Sequence, residues 1–177
     1  MSQRALLNKS WLQPRKLESK DSRDGFSCGH AELDEWFTKY ALINQNSGMV
    51  TVFTSEIDGE IAAFYALSAG QVNHRSAPVR VTKAIPKHPI PVVILSRFAV
   101  DKKYQRMGLG RAMLRDLLIR ISNLASDEIG VRALLIHAKD ENARAFYMAQ
   151  AEFEPSPTDS MHLYLLMKDL RRALRAP

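Results

Sequence analysis

The segment from Pro91 to Arg111 constrains the fold more strongly than any other part of the chain. It begins with a nearly continuous apolar run over residues 92–100, which only Ser96 and Arg97 interrupt, and continues into Gln105-Arg106-Met107-Gly108-Leu109-Gly110-Arg111. Beyond that point, apolar residues recur with the period of a helix at Leu109, Met113, Leu117 and Ile121. The pattern predicts a buried strand, a glycine loop and an amphipathic helix in direct succession.

The glycine loop is a candidate anion site. The first turn of the helix presents backbone N–H groups that no helical hydrogen bond uses, and the partial positive charge of the helix terminus favours an anion there. Gly108 and Gly110 keep side chains away from an approaching group, while Arg106 and Arg111 can add charge-assisted bonds at the rim. The alternative is an ordinary strand-to-helix turn whose glycines serve close packing.

Length and composition set broad limits. A chain of 177 residues with 46% hydrophobic residues is the size of one globular domain, which we expect over residues 1–177. No apolar run approaches the roughly 18 residues of a membrane span, and no signal-peptide pattern is seen, so we expect a cytoplasmic protein. The single cysteine, Cys28, excludes an internal disulfide and is expected to be buried in a loop, and the five histidines lack the spacing of metal ligands.

The charge balance points to a polyanionic partner. The 25 Lys and Arg residues against 19 Asp and Glu give a formal net charge of +6. Two clusters contribute to the excess, one in a proline-rich segment with Arg75, Arg80, Lys83 and Lys87, and one with Lys168, Arg171, Arg172 and Arg175 in what we expect to be a basic tail over about 168–177. For each cluster, a simple solvated surface is the alternative.

The remaining elements are predicted from periodicity and turn signals. These are a helix over 29–45, a hairpin of strands 49–57 and 60–68 around Asp58-Gly59, a short helix near 79–84, a strand over 131–138, a helix from the cap Asp140 through Met148, and a strand over 161–167. This order predicts a mixed α/β fold of α+β-like character, in which helices flank a central twisted mixed sheet.

The order of elements together with the glycine loop resembles the GNAT family of N-acetyltransferases over about residues 15–167. Several motifs in combination are similar to one branch of that family, the TacT-like acetyltransferase toxins of type II toxin–antitoxin pairs. These motifs are Phe26-Ser27-Cys28-Gly29, Tyr65-Ala66-Leu67-Ser68-Ala69-Gly70, Pro89-Ile90-Pro91-Val92-Val93, Ser96-Arg97-Phe98-Ala99-Val100-Asp101, Ala145-Phe146-Tyr147 and Phe153-Glu154-Pro155-Ser156-Pro157.

The resemblance implies an activity and a set of partners. It implies transfer of the acetyl group of acetyl-CoA to the α-amine of an aminoacyl-tRNA, which blocks translation. It also implies a homodimer and a ribbon-helix-helix antitoxin that neutralises the enzyme. The acetyl-CoA contacts that it implies are backbone groups of Phe98, Ala99 and Val100 for the pantetheine arm, and the loop residues Gln105, Arg106, Met107, Gly108, Leu109, Gly110 and Arg111 for the pyrophosphate.

Three residues of the helix after Asp140 complete the expected site. Tyr147 is the candidate general acid, because a phenol with an ordinary pKa near 10 is protonated at neutral pH and can donate to the departing thiolate. Phe146 would complete an apolar wall, and Asn142 is placed to bond the pantetheine arm. The alternatives are a core tyrosine bonded to some carbonyl, and an asparagine that bonds its own helix start.

No acidic residue stands out in the sequence as a general base. An α-amine has a pKa near 7.7–8.0, well below that of a lysine, so such an acceptor needs little help with deprotonation.

Arg80, Lys83 and Lys87 would contact tRNA phosphates, and Arg97 either meets an acidic group or reaches the anionic substrate. Two other functions stay open: an acetyltransferase for a protein or small amine, and a catalytically idle partner in a DNA-bound antitoxin complex.

Overall fold

The computed structural model describes residues 10–124 and 129–175. Seven strands are hydrogen-bonded in the order β1-β2-β3-β4-β5-β7-β6. The β4–β5 pair is parallel, and the pairs β1–β2, β2–β3, β5–β7 and β6–β7 are antiparallel. The strands are β1 (Arg15–Lys16), β2 (Thr51–Ile57), β3 (Glu60–Val72), β4 (Ile90–Val100), β5 (Ala133–His137), β6 (Glu154–Pro155) and β7 (His162–Leu166). The mixed α/β class predicted from the sequence is confirmed.

Helical segments lie between most of these strands along the chain, except in the β2–β3 and β6–β7 pairs. They are α1 (Ala31–Glu35), a π-helical segment (Trp36–Tyr40), α2 (Ala41–Asn46), α3 (Val79–Thr82), α4 (Leu109–Leu124), α5 (Glu141–Met148) and α6 (Met167–Arg175). Short 3-10 turns cover His74–Ser76 and Lys102–Tyr104. In the part of the chain that the structure describes, no helix is both long and apolar enough to cross a bilayer.

The described chain forms two compact units. The first comprises the residues up to Leu67 together with Arg97–Asp116, and the second comprises Ser68–Ser96 together with the residues from Leu117 onward. The single domain expected over residues 1–177 stays a prediction.

An aromatic cluster organises the first unit. The rings of Phe37 and Phe64 stack with centroids 4.0 Å apart, and Phe26 meets Phe37 edge-on at 4.8 Å. The predicted hairpin is confirmed, because Asp58 and Gly59 take positive φ angles of 52° and 81° between paired β2 and β3. This turn geometry matches the twist of antiparallel strands.

The core of the second unit lies between its sheet strands and the proline-rich segment. It contains Ala77, Val81, Ile90, Val92, Ala133, Leu135, Tyr164 and Leu166. Strand β4 pairs with β5 from Val92↔Ala133 to Leu95↔Ile136, and β4 itself continues to Val100. The parallel ladder therefore ends before the strand does.

The amphipathic helix predicted after the glycine loop is confirmed as α4. Its four predicted stripe residues are each at most 1% exposed, and Leu114 and Leu118 extend the buried face. Cys28 is buried, as expected. Burial raises the pKa of its thiol to about 11, and the neighbouring Asp34 carboxylate adds to this effect.

The structure refines the sequence expectations at four points. The basic segment expected as a tail over about 168–177 forms helix α6 up to Arg175, and this helix buries Met167 and Leu170. The first predicted helix contains the π-helical segment, and β3 runs on to Val72. Gly110, expected in the loop, lies in the first turn of α4.

Candidate functional site

A buried carboxylate fixes the chain where β4 ends. Asp101 is 4% exposed, and its two carboxylate oxygens accept hydrogen bonds of 2.9 Å from the backbone N–H groups of Ser27 and Lys103. The backbone adds a third link, because the Lys102 N–H donates to the Ser27 carbonyl at 2.9 Å. The start of the loop is therefore held rigidly against the segment before α1.

The Gln105 side chain supports the loop by binding the protein's own backbone. Its amide nitrogen donates hydrogen bonds of 2.9 Å to the carbonyl oxygens of Cys28 and Val100. Sequence reasoning placed Gln105 among the anion-site residues, and it gave no indication that the side chain binds protein carbonyls. The backbone of Gln105 thus stays a candidate contact, while its side chain has a structural role.

The loop backbone has a feature that is typical of anion nests. Arg106 and Gly108 have positive φ angles of 62° and 89°, and helix α4 begins at Leu109. The first helical hydrogen bond runs from the Ala112 N–H to the Gly108 carbonyl at 3.1 Å. Successive N–H groups in such a turn converge on one point, and the helix terminus adds its partial positive charge. These residues can hold a phosphate group.

Trp11 is a residue near this loop that sequence reasoning missed. A Cβ atom on Gly108 would lie 4.0 Å from the Trp11 ring, so the indole covers the glycine at van der Waals distance. Trp11 precedes the first predicted element, and no local pattern linked it to the loop.

The end of β4 combines buried and exposed groups. Ala99 is 5% exposed and belongs to the aromatic core of the first unit, whereas Phe98 and Val100 are half-buried. The guanidinium carbon of Arg97 lies 5.2 Å from the centroid of the Trp36 ring, a cation–π contact that neither sequence alternative for Arg97 included.

Helix α5 of the second unit carries the candidate general acid. Asp140 caps the helix by accepting a hydrogen bond of 2.8 Å from the Ala143 N–H, as predicted. Because Asp140 fills this role, the exposed Asn142 side chain is not the cap. Tyr147 is 7% exposed, and Phe146 meets its ring at 5.2 Å between centroids. Burial raises the pKa of Tyr147 well above its usual range, so the hydroxyl is protonated at physiological pH.

The basic residues of the proline-rich segment differ in their surroundings. Arg80 donates to Glu154 at 2.8 Å and to Asp169 at 2.5 Å, and these carboxylates raise its pKa. Lys83 and Lys87 are exposed. Arg132 holds the segment by donating to the carbonyls of Val81 and Lys83 at 2.9 and 3.2 Å.

Each unit therefore contains some of the site residues that were predicted from the sequence. The residues from Arg97 to Arg111 lie in the first unit, and the second unit holds Asn142, Phe146 and Tyr147 as well as Arg80, Lys83 and Lys87. Within residues 10–124 and 129–175, no three His, Cys, Asp or Glu side chains are arranged to hold a metal ion.

Comparison with known proteins gives consistent matches. Residues 11–153 match the acetyltransferase (GNAT) family. A protein of Mycobacterium tuberculosis named tRNA-acetylating toxin is 47% identical over 158 residues, which cover 89% of this chain and 93% of that protein.

Solved structures match over nearly the whole chain. AtaT complexed with acetyl-methionyl-tRNAfMet has a TM-score of 0.84 at 19% identity, covering 93% of this chain and 99% of that one. A tyrosine-to-phenylalanine mutant of the toxin AtaT, bound to the C-terminus of the antitoxin AtaR and acetyl-CoA, has a TM-score of 0.79 at 17% identity, covering 94% and 99%. At such identities the match establishes a shared fold.

Proposed function

The chain belongs to the acetyltransferase (GNAT) family, and we propose that it is a toxin that acetylates the α-amine of an aminoacyl-tRNA and so blocks translation. The observation that carries this proposal is the similarity to the tRNA-acetylating toxin, at 47% identity over 89% of this chain. The net charge of +6 suits a substrate that is a polyanion.

The acetyl donor in this proposal is acetyl-CoA, and the loop before α4 fits its pyrophosphate. Arg106 and Gly108 have the positive φ angles that are typical of backbone nests, in which successive N–H groups face an anion, and the first turn of α4 adds further N–H groups. Leu109 is buried and Met107 half-buried, so these two residues anchor the loop, and Arg106 and Arg111 lie at its rim. The backbone of Phe98, Ala99 and Val100 would pair with the pantetheine arm, and Asn142 would hydrogen-bond the same arm.

Tyr147 is the proposed proton donor. As the amine nitrogen bonds to the acetyl carbon and the carbon–sulfur bond breaks, the Tyr147 hydroxyl gives its proton to the sulfur, the amine proton passes to water, and the Tyr147 phenolate then takes a proton back from water. The edge-on Phe146 ring excludes water from one side of the phenol. Burial raises the pKa of Tyr147, so the phenol carries its proton when the reaction begins.

The buried carboxylates support an acceptor that needs no side-chain base. Asp101 is occupied by two backbone N–H groups, and Asp169 by the guanidinium groups of Arg80 and Arg172. Both carboxylates therefore serve the fold. An α-amine with a pKa near 7.7–8.0 is substantially neutral at physiological pH and can attack directly.

The partner that we propose is an antitoxin of the ribbon-helix-helix class, with the enzyme acting as a homodimer in the cytoplasm, where charged tRNA is available. The AtaT structure with the C-terminus of the antitoxin AtaR supports an antitoxin for this fold.

Acetylation of purified charged tRNA tests the proposal directly. The protein is incubated with radiolabelled acetyl-CoA and a complete set of charged tRNAs, the ester is hydrolysed, and the acetylated amino acid is identified. We expect label on the α-amine of one or a few amino acids and none with uncharged tRNA. Label on protein lysines or polyamines alone would contradict the proposal and favour a general amine acetyltransferase.

A further inference from the structure

Helix α6, which was not predicted from the sequence, carries a basic face. Lys168, Arg171, Arg172 and Arg175 stand at positions i, i+3, i+4 and i+7 and therefore lie along one stripe. These four side chains line an open cavity of about 530 Å³. The opposite face of the helix buries Met167, Asp169 and Leu170.

The helix itself does not account for this stripe. Like charges at i, i+3 and i, i+4 spacing destabilise a helix, and a cation in the first turn opposes the helix dipole. The dipole favours Arg172 and Arg175 in the last turn, but it disfavours Lys168 in the first. An anion bound along the stripe would relieve the repulsion between these like charges.

An ion-pair chain fixes the stripe to the proline-rich segment. Asp169 is 6% exposed, and it accepts from Arg80 through one oxygen at 2.5 Å and from Arg172 through the other at 3.1 Å. Glu154 of β6 holds the second nitrogen of Arg80 at 2.8 Å. Arg80 thus joins α3, β6 and α6, and it sets the position of Arg172 through Asp169.

We propose that α6 is a docking surface for the phosphate backbone of the tRNA, and that Arg80 orients this surface through Asp169 instead of contacting phosphates itself. This inference rests on the proposed function and assigns it a second binding element. The phosphates of a folded tRNA lie on a curved surface with a density of negative charge that a row of four cations matches. An anionic lipid surface is disfavoured, because Met167 and Leu170 are buried in the protein and Leu174 alone among the large apolar residues of α6 is exposed, which is too little apolar surface for insertion.

The experiment measures the binding of one uncharged tRNA transcript over a series of salt concentrations. Lys168→Gln/Arg175→Gln removes two exposed charges from α6. The control, Lys20→Gln/Lys39→Gln, removes two charges from exposed lysines of the first unit, which pair with Glu18 and Glu35. We expect the α6 variant to bind at least 10-fold more weakly at low salt, with a salt slope shallower by about two units, one for each phosphate that is no longer neutralised. The control should keep the wild-type slope.

A second variant tests the role of Arg80. Asp169→Asn makes the protein more positive, so simple electrostatics predicts tighter tRNA binding, whereas loss of the link to Arg80 predicts weaker binding and a lower melting temperature. Arg80→Gln should reproduce both effects. Tighter binding by Asp169→Asn, or an unchanged melting temperature with Arg80→Gln, would overturn the orienting role.

The outcomes separate this inference from the proposed function. An α6 variant with a wild-type slope, in a protein that still acetylates charged tRNA, would overturn the docking surface alone. A wild-type protein that acetylates no charged tRNA but loses RNA binding with the α6 variant would refute the function and leave the surface standing. A variant that loses binding of a purified antitoxin and keeps that of tRNA would assign α6 to a protein partner and overturn the inference.

Discussion

The side-chain amide of Gln105 and the backbone carbonyl of Cys28 are joined by a hydrogen bond of 2.9 Å across 77 positions of sequence. The same nitrogen also donates to the Val100 carbonyl. One side chain therefore fastens the entry of the glycine loop both to the end of β4 and to the segment before α1. The position of the loop depends on residues that belong to no local motif.

Replacing Gln105 with alanine should lower stability and weaken cofactor binding together. Loss of the two hydrogen bonds is expected to reduce the free energy of unfolding by about 1–3 kcal/mol, since each contributes about 0.5–1.5. Urea denaturation measures this loss, and calorimetric titration should give an acetyl-CoA affinity a few-fold lower. Unchanged stability with a large loss of affinity would mean that the side chain contacts the cofactor directly.

Introducing aspartate at Gly108 or Gly110 should abolish acetyl-CoA binding. The carboxylate would stand where the pyrophosphate is expected, and at Gly108 the φ of 89° adds backbone strain. Gly48→Asp is the matched control, because Gly48 has a similar φ of 76° and open space around it. Calorimetry should show no heat of binding for the two loop variants and wild-type affinity for the control.

Removing the hydroxyl in Tyr147→Phe should slow the chemical step without changing the fold. A general acid contributes roughly 10² to 10⁴ in rate, so single-turnover acetylation is expected to fall by that factor, with acetyl-CoA affinity retained. Phe146→Leu, which keeps the phenol, should show a much smaller loss of rate. A wild-type single-turnover rate in Tyr147→Phe would mean that water protonates the thiolate.

Asp101→Asn should be strongly destabilising. The carboxylate accepts from two backbone N–H groups, whereas an amide would turn its own NH₂ toward one of those donors and leave it unpaired. We expect a loss of about 2–4 kcal/mol in the free energy of unfolding, measured by urea denaturation. Asp58→Asn, at an exposed turn, provides a comparison and should be nearly neutral.

Cys28 should react slowly with thiol reagents in the native protein. Its pKa is raised from 9.0 to about 11, so at pH 8 the thiolate fraction is about 100-fold smaller than for an unperturbed thiol. The rate should rise with pH until about pH 11. Ellman's reagent under native and denaturing conditions measures the difference, and rapid native reaction at pH 8 would contradict the buried position.

The sequence was most informative where one element carries its own pattern. The stripe of α4, the Asp58-Gly59 turn and the Asp140 cap depend on neighbours within a few residues, and all three were predicted correctly. Helix α6 was missed because basic residues crowd it and only Met167, Leu170 and Leu174 show a helical period. Asp169 lies on the inward face of this helix because it pairs with Arg80, which lies far away in the sequence.

Within the candidate site, the succession of strand, glycine loop and helix was predictable, and the contacts that support the loop were not. The positive φ of Gly108 was not part of the prediction. The partners of Gln105 and Asp101, the contact of Arg97 with Trp36 and the position of Trp11 over Gly108 all depend on tertiary packing. The periodicity of a sequence carries no information about such contacts between distant segments.

The π-helical segment between α1 and α2 has a consequence for insertions and deletions. A π turn holds one residue more than an α turn, so removal of Thr38 or Lys39, which leaves the core residue Phe37 in place, would give a continuous α-helix with its flanking faces in register. The same deletion inside α4 would rotate every later side chain by about 100° and turn Leu117 and Ile121 out of the core. Length variation in the π-helical segment is therefore compatible with the existing core.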